Sequence, residues 1–151
     1  MEPLSLIAGH EEIIAVFGRW PSFHDGEVHR LTLDSTRTDQ SGRRYASIEL
    51  QIRGWDLTEH VSDEGFYKQD KDSVVVLLFE RVYDVELDGL NHQNVLSGLD
   101  LSLARNPDDE NVQHLAVELV HCFGLSGAFK AASAKLISIT PFRAASERPG
   151  G

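Results

Sequence analysis

The chain holds a single cysteine, Cys122, in 151 residues. One thiol excludes an intramolecular disulfide and any zinc site built on several cysteines; Cys122 itself reads as a small buried hydrophobe. Basic residues are scarce as well: 14 Lys plus Arg stand against 24 Asp plus Glu, a formal net charge of -10. Gripping a phosphate backbone needs the opposite balance, so no nucleic-acid partner is expected. No apolar run approaches the roughly 20 residues of a spanning helix, so no membrane partner is expected either. Met1 to Ile14 carries Glu2, Glu11 and Glu12 and no basic residue, unlike a secretory leader, and the expectation is a cytoplasmic protein. Recognised catalytic and ligand motifs are missing too. There is no His-Glu-x-x-His, no EF-hand loop, no Gly-x-Ser-x-Gly elbow and no phosphate loop with its lysine. The expectation is a protein without catalytic residues, resident metal or cofactor.

What is present is a foldable apolar pattern. Apolar residues make up 41% of the chain, enough for one packed domain. Residues 10 to 18 predict a short helix, with Ile13, Val16 and Phe17 on one face and Gly18 as its stop. Strand patterns follow over Glu27–Asp34, Tyr45–Arg53, Val74–Phe79, Tyr83–Asp88, Leu99–Leu103, Leu115–Leu119 and 128 to 140. Val74–Phe79 is a continuous apolar run, as in a strand buried on both faces. No crossover helices separate these strands, which predicts antiparallel pairing. The fold class expected is mainly β (α+β): an antiparallel sandwich or curved sheet of about seven strands with one N-terminal helix. Residues 1 to 143 are expected to form one globular domain, and 144 to 151 a polar, flexible tail.

The negative charge is concentrated. Residues 56 to 118 hold fifteen acids against four bases, whereas residues 119 to 151 hold one acid against four. Within the acidic stretch, strand period places Asp84, Glu86 and Asp88 on one face, with Tyr83, Val85 and Leu87 turned inward. Asp100 joins them if its strand pairs with theirs as a hairpin. Like charges at that spacing repel unless a basic group answers them. The plain reading is a solvated face; the functional one is a contact surface for a basic partner.

The densest run is Trp20-Pro21-Ser22-Phe23-His24-Asp25-Gly26-Glu27-Val28-His29. Its candidate functional residues are Trp20, Ser22, Phe23, His24, Asp25, Glu27 and His29. Asp25, Glu27 and His29 alternate onto one face, and with His24 they could hold a divalent metal in a small metal-dependent enzyme. Against this, Pro21 ends the helix, Trp20 and Phe23 suit a core, and Asp25 suits a local turn. A third reading has Trp20, Phe23 and Trp55 lining a ligand groove or the seam of a homodimer.

Phe17-Gly18-x-Trp20-Pro21-Ser22-Phe23-His24-Asp25-x-Glu27-Val28, with Gly89-Leu90-Asn91-His92-Gln93-Asn94-Val95-Leu96 and the turn Phe123-Gly124-Leu125-Ser126-Gly127, resembles small bacterial proteins of immunity protein family fifty. The resemblance runs from the first helix to the last strand. It implies a non-enzymatic inhibitor that neutralises a toxin of the same or a neighbouring cell by protein–protein contact. It transfers no catalytic residue. The partner implied is a basic toxin domain, met by the acidic face of Asp84, Glu86, Asp88 and Asp100.

Overall fold

The computed structural model describes residues 1–61 and 67–142, and the side chains of all these except 56–61 and 67–71. The expected tail at 144 to 151 lies outside the described residues, as do the side chains of five acids of the charged middle stretch.

A single turn of 3-10 helix, Pro3–Leu6, leads into the two-residue strand β1 (Ile7–Ala8) and the helix α1 (His10–Phe17). Gly9 and Gly18 bracket α1, both in the left-handed conformation that side chains resist, and the Gly18 N–H closes the last turn on the Ile14 carbonyl at 2.7 Å. Eight strands follow: β2 (Glu27–Thr38), β3 (Arg44–Val61), β4 (Tyr67–Glu80), β5 (Tyr83–Asp88), β6 (Val95–Asn106), β7 (Asp109–Phe123), β8 (Ser126–Ala131) and β9 (Ser133–Pro141). They form one open mixed sheet in the order β1-β9-β4-β3-β2-β6-β7-β8-β5. All pairings are antiparallel except β1 with β9.

The mostly-β class with one N-terminal helix is as the sequence pattern predicts. Two strands more than expected appear. β1 is too short to carry a periodic signal, and the single irregular strand expected over 128 to 140 is two strands, interrupted at Ala132, whose N–H bonds to the Glu80 carbonyl. β4 buries one face wholly, at Val75, Leu77 and Phe79, and the other in part: Leu78 is buried as well, while Val74 and Val76 are half-buried. Cys122 is exposed near the end of β7, not buried, because it falls beyond the last core residue of that strand, Leu119.

The sheet is rolled over on itself. Phe79 on β4 and Phe129 on β8 lie five strands apart in the sheet order, about 24 Å if the sheet were flat. Their ring centroids are 5.1 Å apart, edge to face. The inner faces of the two halves, β1-β9-β4-β3-β2 and β6-β7-β8-β5, therefore meet in one core. Ile48, Leu50, Ile52, Val75 and Leu77 come from the first half, and Leu99, Leu115, Val117 and Leu119 from the second. Ile13 and Phe17 of α1 join the same core.

Between the halves the ladder is thin: β2 and β6 share only the pair Glu27–Val95. The Trp20–His29 run supplies the rest of the joint. Asp25 N–H donates to the Leu96 carbonyl at 2.8 Å, Leu96 N–H to Gly26 at 2.9 Å, Leu99 N–H to Ser22 at 3.0 Å and Val28 N–H to Asn94 at 2.8 Å. His24 adds its Nδ1–H to the Ser97 carbonyl at 2.9 Å.

At the far end of the first half, the β2–β3 turn is organised by Asp39. Its carboxylate accepts from the Ser41 hydroxyl and the Ser41 and Arg43 N–H groups, and from the Arg81 guanidinium at 2.8 Å. The Ser41 hydroxyl and then the Arg81 guanidinium hold this carboxyl far below the ordinary carboxylate range.

Two predictions follow from these contacts. Truncating Phe79 to Ala removes a fully enclosed ring that ties the halves together, and is expected to cost about 3–5 kcal/mol in urea unfolding. Asp39 stabilises the fold fully above its unfolded value of about 3.9, and loses that contribution as pH falls through its depressed native value. Acid titration of stability should therefore show a shallower decline below pH ~4 in Asp39→Asn than in the parent chain.

Candidate functional site

The side chains of the Trp20–His29 run part in several directions. Phe23 has a φ of 58°, a strained conformation for a bulky residue. That backbone conformation aims its ring into the core, edge-on to Phe17 and Trp20 at 6.4 and 6.2 Å and against Gly54 of β3, and the burial offsets the strain. A Cβ at Gly54 would stand 2.7 Å from the Phe23 ring, so the absence of a side chain there makes the seat. Trp55 lies away from this cluster, 5.3 Å from the Arg53 guanidinium, which also covers Phe142 and pairs with Asp72 at 2.7 Å. Trp20, Phe23 and Trp55 thus line no common groove.

The four metal candidates separate as well. Asp25 sits in a left-handed turn at φ 61°, before β2 begins, and His29 falls where the β2–β3 register shifts between Val28 and Arg30. Strict alternation fails at both positions, so the expected single face does not exist. Instead two loose pairs form: His24 Nε2 lies 3.6 Å from Asp25 Oδ2, and His29 Nε2 lies 3.7 Å from Glu27 Oε1. Among the described residues no three His, Cys, Asp or Glu side chains gather as metal ligands would.

The acidic residues do converge, though not as strand period alone predicts. β5 is irregular: Asp84 has a φ of 50°, and the register with β8 shifts between Tyr83 and Glu86. This shift leaves Val85 exposed instead of inward. It also takes Asp84 out of step with Glu86 and Asp88, which keep regular pairing with Ala128 and Ser126. Asp84 and Glu86 border a large concavity of about 1190 Å³, while Asp88 borders a different, small pocket of about 240 Å³ with Leu31, Leu87 and Leu90.

Asp100 reaches the large groove by another route than a β5–β6 hairpin. The register runs Glu86 to Ala128 on β8, Ala128 to Glu118 on β7, and Glu118 to Asp100 on β6. Directly paired residues share a face, so Glu86, Glu118 and Asp100 form one row across four strands, spanning about 14 Å. Ser102, Ala116 and Lys130 form the adjacent row. Small residues make the floor (Gly98, Ser102, Ala116 and Ala128), and Trp20, Ser22 and the Glu2–Leu4 segment also border it.

Among the described residues, five carboxylates border this groove, from Glu2, Asp84, Glu86, Asp100 and Glu118, against one ammonium, that of Lys130. Lys130 Nζ lies 3.4 Å from Asp84 Oδ2, and both are well exposed, so the contact contributes little. Beside Lys130 in the register, the Tyr83 hydroxyl and His114 Nδ1 are in hydrogen-bond contact at 2.9 Å. Burial pushes the Tyr83 phenol up and nearby Lys130 draws it down, with a net rise.

Glu118 and Lys130 belong to the site without having been singled out in the sequence. The outward position of Glu118 on its strand was the available signal; the pairing that aligns it with Glu86 was not readable. Compared with protein-family models, with curated proteins and with solved structures, the chain matches none. No helix among the described residues is long and apolar enough to cross a membrane.

Glu118 and Asp100 are directly opposed, exposed like charges, an arrangement that weakens a sheet. Glu118→Gln should therefore raise stability by a few tenths to about 1 kcal/mol, with the gain shrinking as salt is added. Urea melts at low and high ionic strength measure it.

Proposed function

We propose that this chain is a non-enzymatic binding protein of the immunity type, which neutralises a basic bacterial toxin domain by direct contact through the acidic groove. The observation that carries this reading is the row Glu86–Glu118–Asp100 on a floor of small residues, with Asp84 at its edge and one lysine in reply. A concave surface with surplus negative charge attracts a positive partner from a distance and orients it on encounter. The small floor residues leave room for inserted lysine or arginine side chains. The retained repulsion between Asp100 and Glu118 fits a surface kept for binding at some cost in stability. The resemblance of the Trp20–Val28 and Gly89–Leu96 segments to immunity protein family fifty points to the same partner class. Asp88 is no part of this reading, since it lies outside the groove.

Co-expression with any growth-inhibiting module found encoded beside this gene, together with titration calorimetry of the purified pair, tests the proposal. Protection and binding are expected, with affinity falling steeply from low to high salt. Glu86→Lys and Glu118→Lys should each weaken binding by about tenfold or more, while Asp88→Lys, outside the groove, should change it little. Lack of any such module, or binding that ignores salt and both groove reversals, overturns the reading.

A further inference from the structure

The margins of the sheet are guarded unequally. Strand β5, at one end of the order, is short, broken at Asp84 and lined with exposed acids, which discourages pairing with another chain. At the other end β9 is partly covered by β1, and its exposed run ends in Pro141. Strand β2 has neither guard over its middle. Beyond Glu27–Val95 and the Val28 N–H bond to Asn94, no strand among the described residues pairs with β2 on the side opposite β3. Arg30 to Asp34 is a regular stretch, paired residue for residue with Gln51 to Ser47 between two register shifts. Leu33 on it is 56% exposed although its partner Ile48 is fully enclosed, and Leu90, which shares a small pocket with Leu31, is 69% exposed. Leu31 borders the small apolar pocket with Leu87, Leu90 and Leu125.

This stretch is self-complementary. We propose that the free edge of β2 pairs with the same edge of a second copy, antiparallel, with Thr32 on the two-fold axis. In that register Arg30 faces Asp34 of the other copy, twice over, and Leu31 faces Leu33, also twice. Parity is respected: the leucines extend the inner apolar face, covering the small pocket and Leu90, while Arg30, Thr32 and Asp34 stay on the outer face. The opposite charges set the register, with Asp34 already accepting from the Thr36 N–H and hydroxyl through Oδ1, and exposed Leu33 with half-buried Leu31 supplies the apolar burial. A two-fold axis makes every contact occur in pairs, so one substitution acts at two places. The edge is separate from the acidic groove, so the proposal stands apart from the toxin-binding reading.

Sedimentation equilibrium on the full chain over a wide concentration range tests it, with circular dichroism confirming that each variant folds. A reversible dimer is expected. Arg30→Asp puts like charges opposite at both positions and should raise the dimer dissociation constant by about tenfold. The double swap Arg30→Asp with Asp34→Arg should restore it. In a Cys122→Ser background, Thr32→Cys should form a disulfide-linked dimer on oxidation, because opposed residues of antiparallel strands stand within disulfide reach. A chain that stays monomeric at its highest soluble concentration leaves the edge to another strand and overturns the proposal. So does a dimer indifferent to Arg30→Asp, or one that the double swap fails to restore.

Discussion

The backbone hydrogen bonds between Ser22–Val28 and Asn94–Leu99 are the constraint on which the rest of this structure depends. They join two half-sheets that otherwise share one ladder pair, at Glu27 and Val95. With that joint in place, the sheet can roll until Phe79 and Phe129 touch, and a single core replaces two exposed apolar faces. The joint also brings Trp20 and Ser22 to the border of the acidic groove. The strained Phe23 belongs to the same device: its ring is the peg, and Gly54 is the hole, that hold the strap against the first half. A run of residues that looks like reactive chemistry in the sequence also fastens the two halves of the fold.

The second half carries a different compromise. Its inner face is apolar and closed, while its outer face combines small residues with carboxylates that oppose one another. A sheet selected for stability alone would pair Asp100 with a threonine or a lysine rather than with Glu118. Instead the repulsion is spread over several strands, and Lys130 answers only at the Asp84 corner. On the other side of the molecule, opposite charges are satisfied internally. Arg53 is doubly bonded to Asp72 and covered by Phe142, and Arg81 is spent on Asp39 and stacked over Tyr45. The groove thus gathers carboxylates that Lys130 answers at one corner.

Local regularities were legible in the sequence. The α1 helix, its Gly18 stop and the alternation of β3, β6 and β7 follow from periodicity and turn chemistry, because each depends on residues a few positions apart. Asn94 likewise does what a polar turn residue suggests: its side chain accepts the N–H groups of Asn91 and Leu125 and donates to the Asn91 carbonyl. Irregularities were not legible. The displaced His29, the left-handed Asp84 and the break at Ala132 are responses to curvature and to neighbours far along the chain, and period two is blind to them. The groove suffered most from this. Asp84, Glu86 and Asp100 can be named from pattern, but that Asp88 borders a different pocket and that Glu118 lines up with Asp100 depend on which strands lie side by side.

The order of strands along the chain differs from their order in space, and this has a consequence for the emerging polypeptide. Strands β5 to β8 form a contiguous half that is complete once Ala131 has been made. The other half is not: β4 lies between β3 and β9, so its far edge stays bare until Ser133–Pro141 follows. Synthesis thus leaves the most apolar strand of the protein half-paired, from Val74 to Phe79, while some fifty further residues are added. During that interval the nascent chain offers a sticky template to its neighbours, and folding is sealed from the last strand backwards.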